Sequence, residues 1–200
     1  MAAREMNKMR NLIVAATLAI AACAGGAPAE APPLAGATMG GPFSLVDQNG
    51  RRTTDRDFAG KYRLVYFGFS YCPDVCPVDL AVIGQGVRAL EKSDPARAAR
   101  LVPIFITVDP ARDTPAELKK FAAAFHPRLV ALTGSEAEIA ATAKRYAVAY
   151  KAQPGATTGS YTVDHSRMAV LYGPDGAPIA IVPHDEGADG VRKALEQWIA

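Results

Sequence analysis

The sequence predicts an α/β fold, a central mixed sheet flanked by helices, and three observations carry that reading. Residues 63–69 (RLVYFGF) and 101–108 (LVPIFITV) are rich in β-branched and aromatic residues with little alternation, as strands covered on both faces are. Amphipathic stretches with readable helix starts alternate with them. Strand pairs joined by turn signals stand at both ends of this region.

Taken in order, residues 43–46 (FSLV) alternate and run into Asp47-Gln-Asn-Gly50, a hairpin turn signal. The strand at 63–69 follows, and then a helix over residues 78–92. There Val78, Val82, Ile83, Val87 and Leu90 fall near one face. In the strand at 101–108, Pro103 sits near the start, where its missing N–H is tolerated. Thr114-Pro-Ala-Glu117 reads as a capping box with Pro at the first helical position, opening a helix that runs to Phe125. Residues 129–132 form a short middle strand, and Ser135-Glu-Ala-Glu138 is a second capping box for a helix to Tyr146. Residues 147–163 (AVAYKAQPGATTGSYTV) are too long for a tight connection, and such loops are often functional. Residues 168–172 and 178–182 flank Gly173-Pro-Asp-Gly176 as a hairpin, and a last helix reaches Ile199. Alternating units imply parallel central strands, while the late hairpin adds antiparallel ones.

The chain has 200 residues, half of them hydrophobic and 21% charged, which suits a domain with its own core and excludes a wholly disordered one. A net charge of +2 gives no reason to expect nucleic-acid binding. That excess resides in residues 1–22, with Arg4, Lys8 and Arg10 against Glu5, so the remainder is formally neutral. Residues 1–22 read as a signal peptide or N-terminal membrane anchor. A basic start precedes the apolar run at 12–22 (LIVAATLAIAA), which is shorter than the roughly 20 residues a spanning helix needs. Ile20-Ala-Ala-Cys23 resembles a bacterial lipobox, making Cys23 the candidate lipidation site. Both readings place the rest of the chain outside the cytoplasm. The Ala/Gly/Pro-rich stretch that follows makes residues 23–42 a flexible tether, and residues 43–200 the folded domain.

The chemistry is expected where a strand meets a helix. Cys72-Pro-Asp-Val-Cys76 follows the strand ending at Phe69 and precedes the helix at Val78. Cysteines four apart share a face if the first helical turn includes them, and free N–H groups there favour thiolate. Such a pair can close into a disulfide, grip a soft metal, or alternate between the two. A purely stabilising disulfide over so short a loop constrains little of the unfolded chain. Of the histidines, His126 reads as an interaction with helix-terminal carbonyls and His184 as a solvated surface residue. His165 lies in Asp164-His-Ser166, after the long loop.

Four motifs carry a resemblance: FGFSYCPDVCP at 67–77, ITVDPARDTP at 106–115, LVALTG at 129–134 and VDHS at 163–166. In that order they resemble the Sco (SenC/PrrC) family. The resemblance implies a thioredoxin-like fold with an extra N-terminal β-hairpin and an inserted loop before the His-bearing strand. It implies one copper ion, Cu(I) or Cu(II), held by Cys72, Cys76 and His165. Two thiolates and an imidazole are a donor set suited to soft Cu(I). Asp109 is the motif's aspartate near the metal, and Asp164, beside His165, is a further candidate for supporting a ligand. Arg112 and Asp113 are expected to fix their loop, and Tyr161 to pack. The implied role is a metallochaperone delivering copper to the dinuclear copper centre of subunit II of cytochrome c oxidase. It implies a periplasmic copper donor or thiol reductant as a further partner, while the N-terminal signal or anchor implies membrane attachment at the bacterial cell envelope. The rival is a thiol–disulfide oxidoreductase of thioredoxin class acting on the oxidase's copper-ligand cysteines, with Cys72 attacking and Cys76 resolving. Three residues between the cysteines, where thioredoxin has two, count against a general reductase.

Overall fold

The computed structural model describes residues 30–155 and 157–200. The chain divides between Ala31 and Pro32, and the architecture below is that of Pro32–Ala200. The signal or anchor reading of residues 1–22 and the lipidation reading of Cys23 lie outside the described residues.

Residues that no single helix face could bury place the sheet. All seven residues of β3 (Tyr62–Gly68) are buried, and β4 (Leu101–Thr107) is nearly as covered. They pair in parallel, and β5 (Val130–Thr133) extends the parallel set beyond β4. β1 (Ser44–Asp47) joins antiparallel to β5 and carries β2 (Arg52–Thr54) at the edge. On the other flank β8 (Ala169–Tyr172) and β9 (Pro178–Ile181) add antiparallel strands, giving the order β2-β1-β5-β4-β3-β8-β9. Alternation along β3 divides the core. Leu64 and Tyr66 face α1 (Val75–Ser93), α3 (Pro115–Phe125) and α5 (Gly187–Trp198), with the single turn α2 (Pro95–Ala98). Val65 and Phe67 face the layer of α4 (Glu136–Arg145). This is the thioredoxin-like α/β arrangement the motifs imply.

Four local expectations change. The buried stripe of α1 runs Cys76, Leu80, Ile83, Val87, Leu90, an i, i+4, i+7, i+11, i+14 series. Val78 is therefore exposed, because the helix begins at Val75 and takes its inward phase from Cys76. The box at Ser135 closes reciprocally with Glu138, at 2.8 and 3.3 Å. The one at Thr114 is only half made. Thr114 Oγ1 accepts from Glu117 N, but the Thr114 N–H already donates to Arg112 O at 3.0 Å, and Glu117 pairs with Lys120 instead. The tether reading does not hold for residues 34–42: Leu34 N donates to Ile179 O, Gly40 N to Arg145 O, and Met39 packs on the core. Residues 147–163 are no open loop. They contribute most of an antiparallel ribbon, β6 (Tyr150–Pro154) with β7 (Tyr161–His165), separate from the main sheet.

His126 also departs from expectation. It caps α3 through its backbone, but its side chain is 2% exposed and its Nδ1 accepts from Arg128 N at 3.1 Å. Its Nε2 faces Glu91 at 3.4 Å. Burial outweighs Glu91 and holds its pKa below the ordinary 6.5. The unfolded chain therefore takes up this proton before the folded one does, and stability is lost as pH falls below that value. His126→Asn, which retains an acceptor for Arg128 N, is expected to reduce the fall in melting temperature between about pH 7 and about pH 5. Thermal denaturation across that range checks it. A second expectation concerns the crossing of α1 and α5: a Cβ on Gly86 would stand 2.4 Å from Val191 Cγ1. Gly86→Ala gains about 1 kcal/mol of helix propensity but incurs about 1–3 kcal/mol of overpacking. Net destabilisation is expected in chemical denaturation.

Candidate metal centre

The site sits beyond the carboxyl ends of the parallel strands, where open α/β sheets place their ligands. Chain leaving β3 turns at Ser70 and Tyr71 and enters α1 through Cys72 and Cys76. Gly68 makes this approach possible, since a Cβ there would lie 2.9 Å from Cys76 Sγ. The preceding turn is held by Asp113. Its buried carboxylate accepts from Ser70 N at 3.0 Å, from Ser70 Oγ, and from Thr107 Oγ1 at 2.5 Å. Burial raises the Asp113 pKa above the usual carboxylate value in spite of these donors.

Cys72 and Cys76 are both free thiols, Cys76 fully buried and Cys72 half-buried. Cys76 N points at Cys72 Sγ at 3.5 Å, one helix-start N–H serving the first sulfur. His165 ends β7 and brings Nε2 to 3.1 Å from Cys76 Sγ. One donor atom from each of the three residues lies within 4.8 Å of the other two, the arrangement of a potential metal site. His165 Nδ1 is 3.0 Å from the Ser166 carbonyl, which can only accept. The proton therefore belongs on Nδ1, and Nε2 presents its lone pair to the sulfurs. Phe69 and Tyr66 wall the imidazole edge-on, at 5.9 and 6.2 Å between ring centres. Burial pushes the Cys76 thiol up to about 12, so loading a metal on it must release a proton.

The other expected residues separate by strand alternation. Tyr150 pairs with His165, Ala152 with Val163 and Pro154 with Tyr161 on one ribbon face, while Asp164 and Gln153 point to the other. Asp164 is exposed and accepts from Gln153 Nε2 at 2.8 Å, so it supports the ribbon and not His165. Asp109 is 4% exposed and accepts from Tyr161 Oη at 2.8 Å and from Arg112 Nε. No hydrogen bond joins Asp109 to the three donor side chains. Tyr161 does more than pack, and Arg112 lies 3.8 Å over its ring while donating to its carbonyl at 3.1 Å. Together these groups tie the far end of the ribbon to the loop after β4. Beside that tie a cavity of 290 Å³ separates the loop at Pro110 and Ala111 from Tyr150 and Val163.

His184 is not a solvated surface residue. Its side chain is 10% exposed, its Nε2 lies 3.4 Å from Asp79, and its ring stands edge-on to Tyr66 at 6.0 Å. Sequence reasoning passed over Tyr66, Asp79 and Arg167 altogether. Burial alone would raise the Asp79 pKa, but hydrogen bonds from Arg167 and Tyr66 outweigh it and hold it below the usual carboxylate value. The available signal was positional: Asp79 falls three residues after Cys76 on the apolar face of α1.

In the metal-free protein the two sulfurs should differ in reactivity. Cys72 is accessible, whereas Cys76 is covered and holds its proton. Iodoacetamide near pH 8 is expected to modify Cys72 on the order of 10-fold faster than Cys76. Peptide mass mapping over time reads this directly.

Comparison with known proteins places this geometry. The SCO1/SenC family model matches residues 31–200. Among curated proteins, the human mitochondrial SCO1 homolog is 41% identical over 138 residues, covering 69% of this chain and 45% of its own. The bovine mitochondrial SCO2 homolog is 46% identical over 136 residues, covering 68% and 50%. The chain thus spans about half the length of these relatives. The structure of Bradyrhizobium japonicum ScoI with copper bound superposes with a TM-score of 0.73 at 39% identity, covering 80% of this chain and 99% of that one. BsSco, a member of the Sco family of cytochrome c oxidase assembly proteins with a disulfide switch, gives 0.63 at 26% identity over 86% and 97%. With its family match spanning the whole domain that carries the Cys72, Cys76 and His165 cluster, this chain belongs to the SCO1/SenC family.

Proposed function

We propose that this chain is a copper metallochaperone that holds one copper ion on Cys72, Cys76 and His165 and delivers it to the dinuclear copper centre of cytochrome c oxidase subunit II. The convergence of two thiols and an imidazole lone pair at the open end of the sheet carries the reading. Soft sulfur donors select Cu(I), and the imidazole adds a ligand equally suited to Cu(II). A closed structural zinc site takes four protein ligands, whereas three with one accessible sulfur suit a cargo that must leave again. Copper bound in the related ScoI structure supports the same assignment.

In this reading both cysteines give up protons as copper enters, and they must be reduced first. A thiol reductant or a copper donor outside the cytoplasm therefore precedes loading. Export by residues 1–22, with lipid attachment at Cys23 or retention of an uncleaved N-terminal anchor, would hold the domain at the cell envelope, beside a membrane-bound oxidase. Among the described residues no helix is long and apolar enough to cross a membrane.

One observation favours a second activity at the same pair. Cys72 is reachable and Cys76 is not, the division of labour of an attacking and a resolving thiol. Cys72 thiolate would open a partner disulfide to a mixed disulfide. Cys76 would then displace the partner's thiol, leaving a Cys72–Cys76 disulfide that an external dithiol must reduce. His165 separates the two readings, because this exchange uses only the sulfurs. His165→Ala is expected to lower copper affinity about 10-fold or more and to impair oxidase assembly, with the Cys72–Cys76 redox couple largely intact. Competition titration with a copper chelator and oxidase copper content measure both effects. Normal copper binding and normal oxidase in that variant would sink the chaperone reading.

A further inference from the structure

Asp79 places a carboxylate where the pattern of α1 calls for an apolar side chain. It is 3% exposed, one turn beyond Cys76. Groups from three separate segments converge on it. Tyr66 Oη donates from β3 at 2.8 Å, Arg167 grips both oxygens at 2.7 and 3.0 Å, and His184 Nε2 lies at 3.4 Å. Arg167 follows His165 by two residues, on the segment leaving the ribbon. Tyr66 is also the ring that stands edge-on to His165.

A buried carboxylate without a partner costs several kcal/mol, so the fold retains this one only with its cation in place. Arg167 is therefore held although its side chain is 51% exposed. Its two-pronged grip sets direction as well as distance. With the guanidinium fixed, two peptide steps limit where the His165 imidazole can stand. The ribbon is tied at its far end by Asp109, Arg112 and Tyr161, and Asp79 supplies the tie at the His165 end. The same carboxylate orients Tyr66 against the imidazole, and it does so from the helix that carries Cys76.

We infer that Asp79 is a positioning residue for His165, clasping the His-bearing segment to the Cys76 helix through Arg167 and Tyr66. The inference rests on the three-ligand copper reading above. Without the clasp the two thiols keep their place on the loop and helix, and the imidazole loses its fixed distance from them.

The test uses the full chain with Arg167→Met, Asp79→Asn, the double variant, and His165→Ala as reference. The double variant leaves no unpaired buried charge, so it remains informative if Arg167→Met folds poorly. In the metal-free chain, proton NMR reads the His165 ring signals, which the edge-on Tyr66 and Phe69 rings displace. Copper(II) titration and electron paramagnetic resonance then read affinity and nitrogen coupling, and chelator competition reads Cu(I). Expected in Arg167→Met and in the double variant are ring signals shifted toward free-histidine positions. Copper(II) affinity should fall about 10-fold with weakened nitrogen coupling, and Cu(I) affinity should stay within about 3-fold. The double variant should recover stability lost in Arg167→Met, since it buries no unpaired charge, yet stay impaired in copper(II) coupling. Wild-type ring signals, affinity and coupling in both, alongside loss in His165→Ala, would overturn the clasp. A silent His165→Ala would instead remove the ligand reading, while the metal-free ring signals still decide whether the clasp exists.

Discussion

Cys76 Sγ and His165 Nε2 meet at 3.1 Å from positions 89 residues apart, and most of the fold near them exists to make that meeting possible. A buried thiol and an imidazole nitrogen satisfy one another there in a poorly solvated place. The Ser166 carbonyl sets the tautomer, Gly68 supplies the missing volume, and Phe69 and Tyr66 hold the ring plane. A metal entering there replaces the thiol proton, so the apo contact is already the geometry of two donors.

The burial that stabilises the domain and the polar contacts that shape its site are spatially distinct. Leu64, Phe105 and Leu171 on one side, and Val65, Ile106 and Leu132 on the other, anchor the seven-stranded sheet by removing apolar surface from water. The chain beyond the strand ends is arranged by buried carboxylates. Asp113 fixes the turn before Cys72, Asp109 the loop after β4, and Asp79 the segment after His165. Each is an acidic group whose burial demands defined donors, which makes it an effective ruler for short irregular segments.

That division also explains what could be read without coordinates. Apolar runs such as residues 63–69, and start signals such as Ser135 with Glu138, are local and announced themselves. The ribbon did not. Its exposed residues obscure a period-two pattern in a segment containing Gly155 and Gly159, so it resembled a loop. Adjacency in sequence likewise made Asp164 look like a companion of His165, although alternation sends neighbours to opposite faces. The cysteines and His165 were legible as a set only through the four motifs taken together. Asp79, Arg167 and His184 lie 88 and 105 residues or so apart along the chain, and only tertiary structure brings such groups to one carboxylate.

The ribbon that carries His165 forms its own two-stranded sheet, outside the seven-stranded one. Two strands alone are marginal in water, whereas strands inside a core open only with the whole domain. The three donors therefore belong to parts of the molecule held by different contacts. Two sit where the chain leaves a central strand, and the third rides on an element joined to the body through Tyr161 at one end, Arg167 at the other and the packing of Val163 between them. In the proposed carrier reading, a cargo held this way would shed its nitrogen ligand when those contacts open, while both sulfurs stay in register with the folded body.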